Sequence, residues 1–288
     1  MCKKIAVFFL IFQLALVFAQ EQKIEAKQIS FQKMDMDFFV GFDGMGNLYY
    51  IKNNVLHKKN EQELWQYKNV SLGKPTKIDF QNQLKILLFY ENFNTIILLD
   101  NQLNEIQKIN FSENEIPILV SASGIASQNR VWIYNSLTQQ IGLFDFLKNS
   151  FQSVTPSLNG NLKQYESDFN TFRWIDDKNN WYGVDVFGKI TSLGKVPDYE
   201  QIQIIGNQEI LFLKEGKLYL QNFNKNSNYT IENVEKSFKN FYYKDQILSI
   251  FTNQEIRIIK LQYHNAHSNS RKYWSGKNDT DPFVGETF

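Results

Sequence analysis

The chain has 288 residues with 31 basic and 30 acidic side chains, a formal charge of +1, so no net basic field is present to hold nucleic acid. Aromatics reach 15%, with 25 Phe and 14 Tyr against only 5 Pro, which together with many Asn turns favours strands over helices. Asn, Lys, Ile and Phe are all abundant, as an AT-rich genome alone would produce, so a single Asn or Lys carries little information.

Residues 1–19, "MCKKIAVFFLIFQLALVFA", read as an export signal. Lys3 and Lys4 form the positive region, residues 5–18 form an apolar run broken only by Gln13, and Val17 and Ala19 set cleavage before Gln20. That run is shorter than the roughly 20 residues a spanning helix needs. The only cysteine, Cys2, precedes the run, where a lipid anchor would need it directly after. The expected mature chain therefore has no disulfide, carries 29 basic against 30 acidic residues, and must be held by its own core. No later apolar run is long enough to cross a membrane, so a soluble protein is expected.

From residue 37 onward one pattern recurs: an apolar run, a polar turn, and a second apolar run. The turns fall at Asn53-Asn54, Asn92 to Asn94, Asn135 to Gln140, Phe187-Gly188, Glu215-Gly216 and Asn253-Gln254. Anchored on Leu48, Ile86, Val131, Trp181, Ile210 and Ile247, the spacings are 38, 45, 50, 29 and 37, close to the length of one four-stranded propeller blade. Flanking strands are expected around most hairpins, such as residues 37–43 and 64–71 about the first and 116–126 and 149–155 about the third. Residues 169–176 open the fourth, whose outer strand is missing or very short before Pro197. In the third unit, "SASGIAS" (121–127) reads as a small-residue inner strand near a tightly packed ring axis.

The sixth unit has no strand of its own after residues 256–261. An open edge invites association, and residues 24–34 are extended in character without a hairpin partner. They are expected to form the outermost strand of the sixth blade and close the ring. Residues 233–241 suit either a helical turn or a strand edge, and no amphipathic run of 12 or more residues exists. The expected fold is all-β: a β-propeller of six blades over residues 20–261, with seven blades or a β-sandwich as alternatives. In the first blade, Leu48, Tyr50 and Val55 are candidates for packing between blades.

Residues 262–288 lose the alternation but carry Tyr273, Trp274, Phe283 and Phe288. Spaced aromatic anchors in a polar segment suit docking onto a partner's groove, or folding back onto the propeller.

Catalytic signals are weak. His264 and His267 lack further ligands for a metal, and His57 is expected on a strand surface. The "DTD" at 279–281 lacks the glycine frame of a Ca²⁺ loop. No phosphate loop, dinucleotide fingerprint or serine elbow occurs, and no cofactor is expected. Asp176 and Asp177, beside Trp181, form an alternative glycan site, against the simpler reading of a self-bonded turn flanked by core Trp residues.

The signal segment with "NLYYIKNN", "NQLNEIQKINF" and "NSLTQQIGLFDF" resembles exported β-propeller-like proteins of flavobacteria and other Bacteroidetes, over roughly residues 20–261. The resemblance carries over no catalytic residue. It implies a non-enzymatic scaffold role on a larger outer-membrane or periplasmic complex, such as the type 9 secretion or gliding machinery, by analogy alone. The alternative is a propeller-type glycan hydrolase or lyase using carboxylates at the propeller mouth.

Overall fold

A computed structural model describes residues 22–114, 117–234 and 237–263. Among the described residues the first element is β1 (Gln22–Lys33), after which come antiparallel meanders in sequence order. The first blade is β2 (Phe38–Phe42), β3 (Leu48–Lys52), β4 (Val55–Lys59) and β5 (Leu64–Tyr67). The second is β6 (Lys77–Asp79), β7 (Ile86–Tyr90), β8 (Thr95–Leu99) and β9 (Glu105–Asn110). The third is β10 (Val120–Ile125), β11 (Arg130–Asn135), β12 (Gln140–Asp145) and β13 (Ser150–Ser153). The fourth is β14 (Leu162–Ser167), β15 (Thr171–Asp176), β16 (Asn180–Asp185) and β17 (Ile190–Lys195). The fifth is β18 (Gln201–Ile205), β19 (Glu209–Lys214), β20 (Lys217–Asn222) and β21 (Ser227–Glu232), and the sixth holds β22 (Asn240–Lys244), β23 (Ile247–Phe251) and β24 (Glu255–Tyr263).

Six separate apolar clusters lie between successive blades, one per junction, including the junction of the sixth with the first. That arrangement identifies a closed ring of six blades. It also explains the unbroken apolar runs. Both faces of a blade are covered, so β7 and β8 bury every residue instead of alternating.

Closure follows the expectation from sequence. β1 pairs antiparallel with β24 from Ile24↔Tyr263 to Lys33↔Glu255, completing the sixth blade. It also pairs in parallel with β21 through Gln22↔Tyr229 to Glu25↔Glu232, joining the fifth and sixth blades into one eight-stranded sheet. Ile24 and Ala26 are buried between those blades. The remainder of β1 is exposed.

The fourth blade differs from expectation. Residues 169–176 belong to its second strand, the missing outer strand is β17, and the innermost strand is β14, "LKQYES". This strand is too polar to stand out as apolar, because it faces the ring axis rather than a neighbouring blade. With Phe172 in place of Trp181 as anchor, the uneven spacings 50 and 29 become 41 and 38. Strand β22 begins at Asn240, inside the segment that also suited a helical turn.

The first strand of each blade lies innermost, where β10 touches both β6 and β14, and β22 touches both β2 and β18. Antiparallel order then fixes the two faces of the ring. Turns joining first to second and third to fourth strands gather on what we term the lower face. Second-to-third turns and the connections between blades gather on the upper face.

Candidate functional site

At the axis, small residues let distant blades meet. Ala122, Ser123 and Gly124 of β10 are all buried. A Cβ on Gly124 would lie 2.0 Å from Ser167 Oγ and 3.1 Å from Asp79 Oδ2. Past this thin strand, Lys77 Nζ of the second blade reaches Glu166 Oε2 of the fourth at 2.8 Å, and Gln81 donates to the Ser167 carbonyl. The "SASGIA" stretch therefore is the closely packed inner strand its composition suggested.

Electrostatics within this cluster are shaped by burial. The Asp79 carboxyl is pushed up to about 6 by desolvation, with the nearby Glu166 charge adding to the effect. Two hydrogen bonds hold it in place: Ile125 N donates to Oδ2 at 2.8 Å and Gln81 N to Oδ1 at 3.1 Å. Burial works against the Lys77 charge, but the Glu166 carboxylate together with Tyr165 and Asp79 outweighs it and holds the ammonium above its ordinary value. Tyr165, whose hydroxyl accepts from Ser123 N at 3.3 Å, is pushed up to about 12 by burial. The cluster is a strut between blades, with both Asp79 oxygens engaged by backbone N–H groups.

The lower face carries a different device. Met45, Leu84, Leu147 and Phe187 are 76%, 73%, 71% and 93% exposed. Each stands two residues after an Asp or Asn whose side chain accepts its backbone N–H: Asp43, Asn82, Asp145 and Asp185, at 2.9, 3.0, 3.0 and 2.9 Å. Such side-chain turns fix the backbone locally, so the apolar group is held out in water by a rigid tip. The turns lie in adjacent blades, with Gly44 of the first against Gln83 of the second, and Phe169 is exposed on the same face of the fourth. Amid this arc lies a cavity of about 280 Å³ lined by Asn82, Lys85, residues 125–130, Phe146 and Phe169. The upper face carries Val70, Leu137, Phe93 and Leu119, 84%, 58%, 48% and 45% exposed, and Leu137 stands on the same kind of turn, its N–H donating to Asn135 Oδ1 at 3.1 Å.

The residues singled out from sequence fall elsewhere. Asp176 ends β15 and is buried; Oδ1 accepts from Lys178 N and Asn180 N at 2.9 and 2.7 Å, and Oδ2 from Asn180 Nδ2 at 2.8 Å. Trp181 is fully buried between the fourth and fifth blades, while Asp177 is exposed on the upper face. This is the geometry of a self-bonded turn. The same bonds recur at Asp43–Asn47 and Asp100–Asn104, so D-x-x-x-N is a turn motif of this chain. His57 is not on the surface: it is 8% exposed and stacked at 4.6 Å on Tyr50, its cross-strand partner. Burial lowers its affinity for a proton. Leu48 and Tyr50 pack in the junction with the sixth blade, while Val55 is only partly buried. Tyr273, Trp274, Phe283, Phe288, His264, His267 and the 279–281 acids lie outside the described residues. Among the described residues no group of three or more His, Cys, Asp or Glu side chains is gathered as for a metal.

Neither the axial ion pair nor the exposed arc was found from sequence. Lys77 and Glu166 are 89 positions apart and carry no local signal. The arc has one: Asp or Asn, any residue, then a large apolar residue inside a turn, as in Asp43-Gly44-Met45 and Asp185-Val186-Phe187.

No protein-family model matches the chain, and no curated protein matches it in sequence. Among solved structures it is similar to the β-propeller domain of Myceliophteria thermophila Cps50 (Swd1), with 9% identity and TM-score 0.53 over 82% of this chain and 100% of that one. It is also similar to a streptogramin B lyase, with 15% identity and TM-score 0.52 over 77% of this chain and 78% of that one. PorZ, a type IX secretion component of Porphyromonas gingivalis, matches at TM-score 0.46 and 13% identity, over 77% of this chain but 32% of PorZ. The first two likenesses define the class by fold alone, the β-propellers. No helix among the described residues is long and apolar enough to cross a membrane.

Proposed function

We propose that this protein is a non-enzymatic, exported interaction module that docks by its lower face onto a larger outer-membrane or periplasmic protein complex. The observation that carries the reading is the arc of Met45, Leu84, Leu147 and Phe187, each held in solvent by the same side-chain turn. Solitary exposed apolar residues are ordinary, but several on one rigid face mark an interaction surface. The export signal at residues 1–19 supplies the compartment. Placement in type 9 secretion or gliding machinery is the finer form of the proposal and rests on the sequence resemblance. Recovery of a defined complex from the membrane fraction of the producing organism, lost when the four residues become Ser, is the expected result. Undiminished recovery with that variant overturns the docking face.

A second reading, a glycan hydrolase or lyase, has one observation in its favour: Asp79 and Glu166 converge at the axis, with Asp79 raised to about 6. It ranks second because the oxygens of Asp79 are bonded to backbone and Glu166 is paired with Lys77. Turnover of a polysaccharide that disappears in Glu166→Gln would reverse the order.

A further inference from the structure

The lower-face cavity is cationic. Of its walls, Lys85 Nζ stands 4.6 Å from the Phe146 ring centroid and 3.4 Å from Asn129 Oδ1. Arg130 gives Nε and Nη2 to the carbonyl and hydroxyl of Ser127 at 3.1 and 3.2 Å, which leaves Nη1 free to donate. Among the described residues neither cation has a carboxylate at ion-pair distance, and no carboxylate lines the cavity. The nearest acid in the sheet is Asp145, across from Arg130 in the register. Its Oδ1 accepts from Leu147 N and Lys148 N, and its Oδ2 lies 3.7 Å from Lys148. Phe146 and Phe169 form the apolar part of the wall. Two cations, Lys85 and an Arg130 that already shares the field of Asp145, stand beside aromatic rings and fit a carboxylate carried next to an apolar side chain.

The chain itself contains such a segment. After Lys277 the sequence is "NDTDPFVGETF", with three acids, three large apolar residues and no base, whereas Arg271, Lys272 and Lys277 all precede it. It also leaves the propeller on the correct face. β24 runs from the upper-face turn to the lower face, where Leu261 N bonds the carbonyl of Gln246 in the turn between β22 and β23. Asp279 lies sixteen positions beyond Tyr263, a span that extends to about 55 Å. A body of this length has a radius of gyration of about 18 Å, so its face is roughly 45 Å across.

We propose that the cavity is a binding site for an acidic, aromatic peptide and that its occupant is the chain's own residues 278–288. Asp279, Asp281 or Glu286 pairs with Lys85 and Arg130, and Phe283 or Phe288 covers Leu84 and Phe169. The segment then masks part of the arc to which the docking reading assigns the partner, and the two stand or fall separately.

Carbodiimide coupling of the full chain, which joins amines to carboxylates in contact, tests this with peptide mass spectrometry. The expected product is an intramolecular Lys85 adduct with Asp279, Asp281 or Glu286, absent in Lys85→Arg. Trypsin cleavage after Lys277 should accelerate about tenfold when Lys85 and Arg130 are both changed to Glu, with an unchanged melting temperature showing that the fold persists. Coupling of Lys85 only to acids of residues 22–263, or an adduct formed only between two chains, overturns the proposal. Formation of the adduct with membrane recovery indifferent to the arc variant would instead sink the docking reading and leave this one standing.

Discussion

Gly142 shows how little slack a blade has. A Cβ there would lie 2.4 Å from the Gln152 carbonyl oxygen and 2.5 Å from the Phe151 ring, and backbone cannot yield as a side-chain end can. Gly142→Ala should cost about 2–3 kcal/mol and lower the melting temperature by roughly 5–10 °C; calorimetry on the two proteins checks it. Asp79 gives a second residue-level test. Its folded value of about 6 lies above the ordinary carboxylate value of about 4. Between those limits the native chain keeps a proton that the unfolded chain has released. The stability it contributes is therefore fully present below pH ~4 and is lost as pH rises through about 6. The loss is on the order of 2–3 kcal/mol. Urea unfolding of wild type and Asp79→Asn should show a difference that falls over this window and is level above pH 7. A difference level throughout would contradict the assignment.

At the scale of strands, β1 is the closure element. Its hold consists of the ladder to β24, the short parallel ladder to β21, and the burial of Ile24 and Ala26. Ile24→Ala should cost about 2–4 kcal/mol. Deleting residues 20–34 should lower the melting temperature sharply, and an unchanged melting curve would sink the closure. This strand was legible because an extended segment without a partner and a blade without an outer strand stood at opposite ends of one repeat. The fourth blade was misplaced for the opposite reason. β14 faces a polar axis, so its residues Lys163, Gln164 and Glu166 hide it from a pattern that seeks apolar runs. Sequence also located Asp176, Asp177 and Trp181 as a cluster and offered the self-bonded turn as its simpler reading, which is how Asp176 spends its oxygens on its own loop. The axial pair of Lys77 and Glu166 depends on the thinness of β10 and on ring closure, neither of which is local.

For the whole molecule, the two ends of the ring divide the work. The axis is tied internally, from Lys77 through Glu166 and from Asp79 to Ile125. The lower face presents apolar tips on side-chain turns and a cavity walled by Lys85 and Arg130. A docking face should therefore tolerate surgery that leaves the fold intact, since these tips contribute nothing to the six junctions. Two variants compared in parallel decide the matter: Met45, Leu84, Leu147 and Phe187 to Ser on the lower face, and Val70 and Leu137 to Ser on the upper. With both proteins melting as wild type does, quantitative co-purification from membranes should show the complex lost by the first and retained by the second. Equal recovery by both would contradict docking through the lower face.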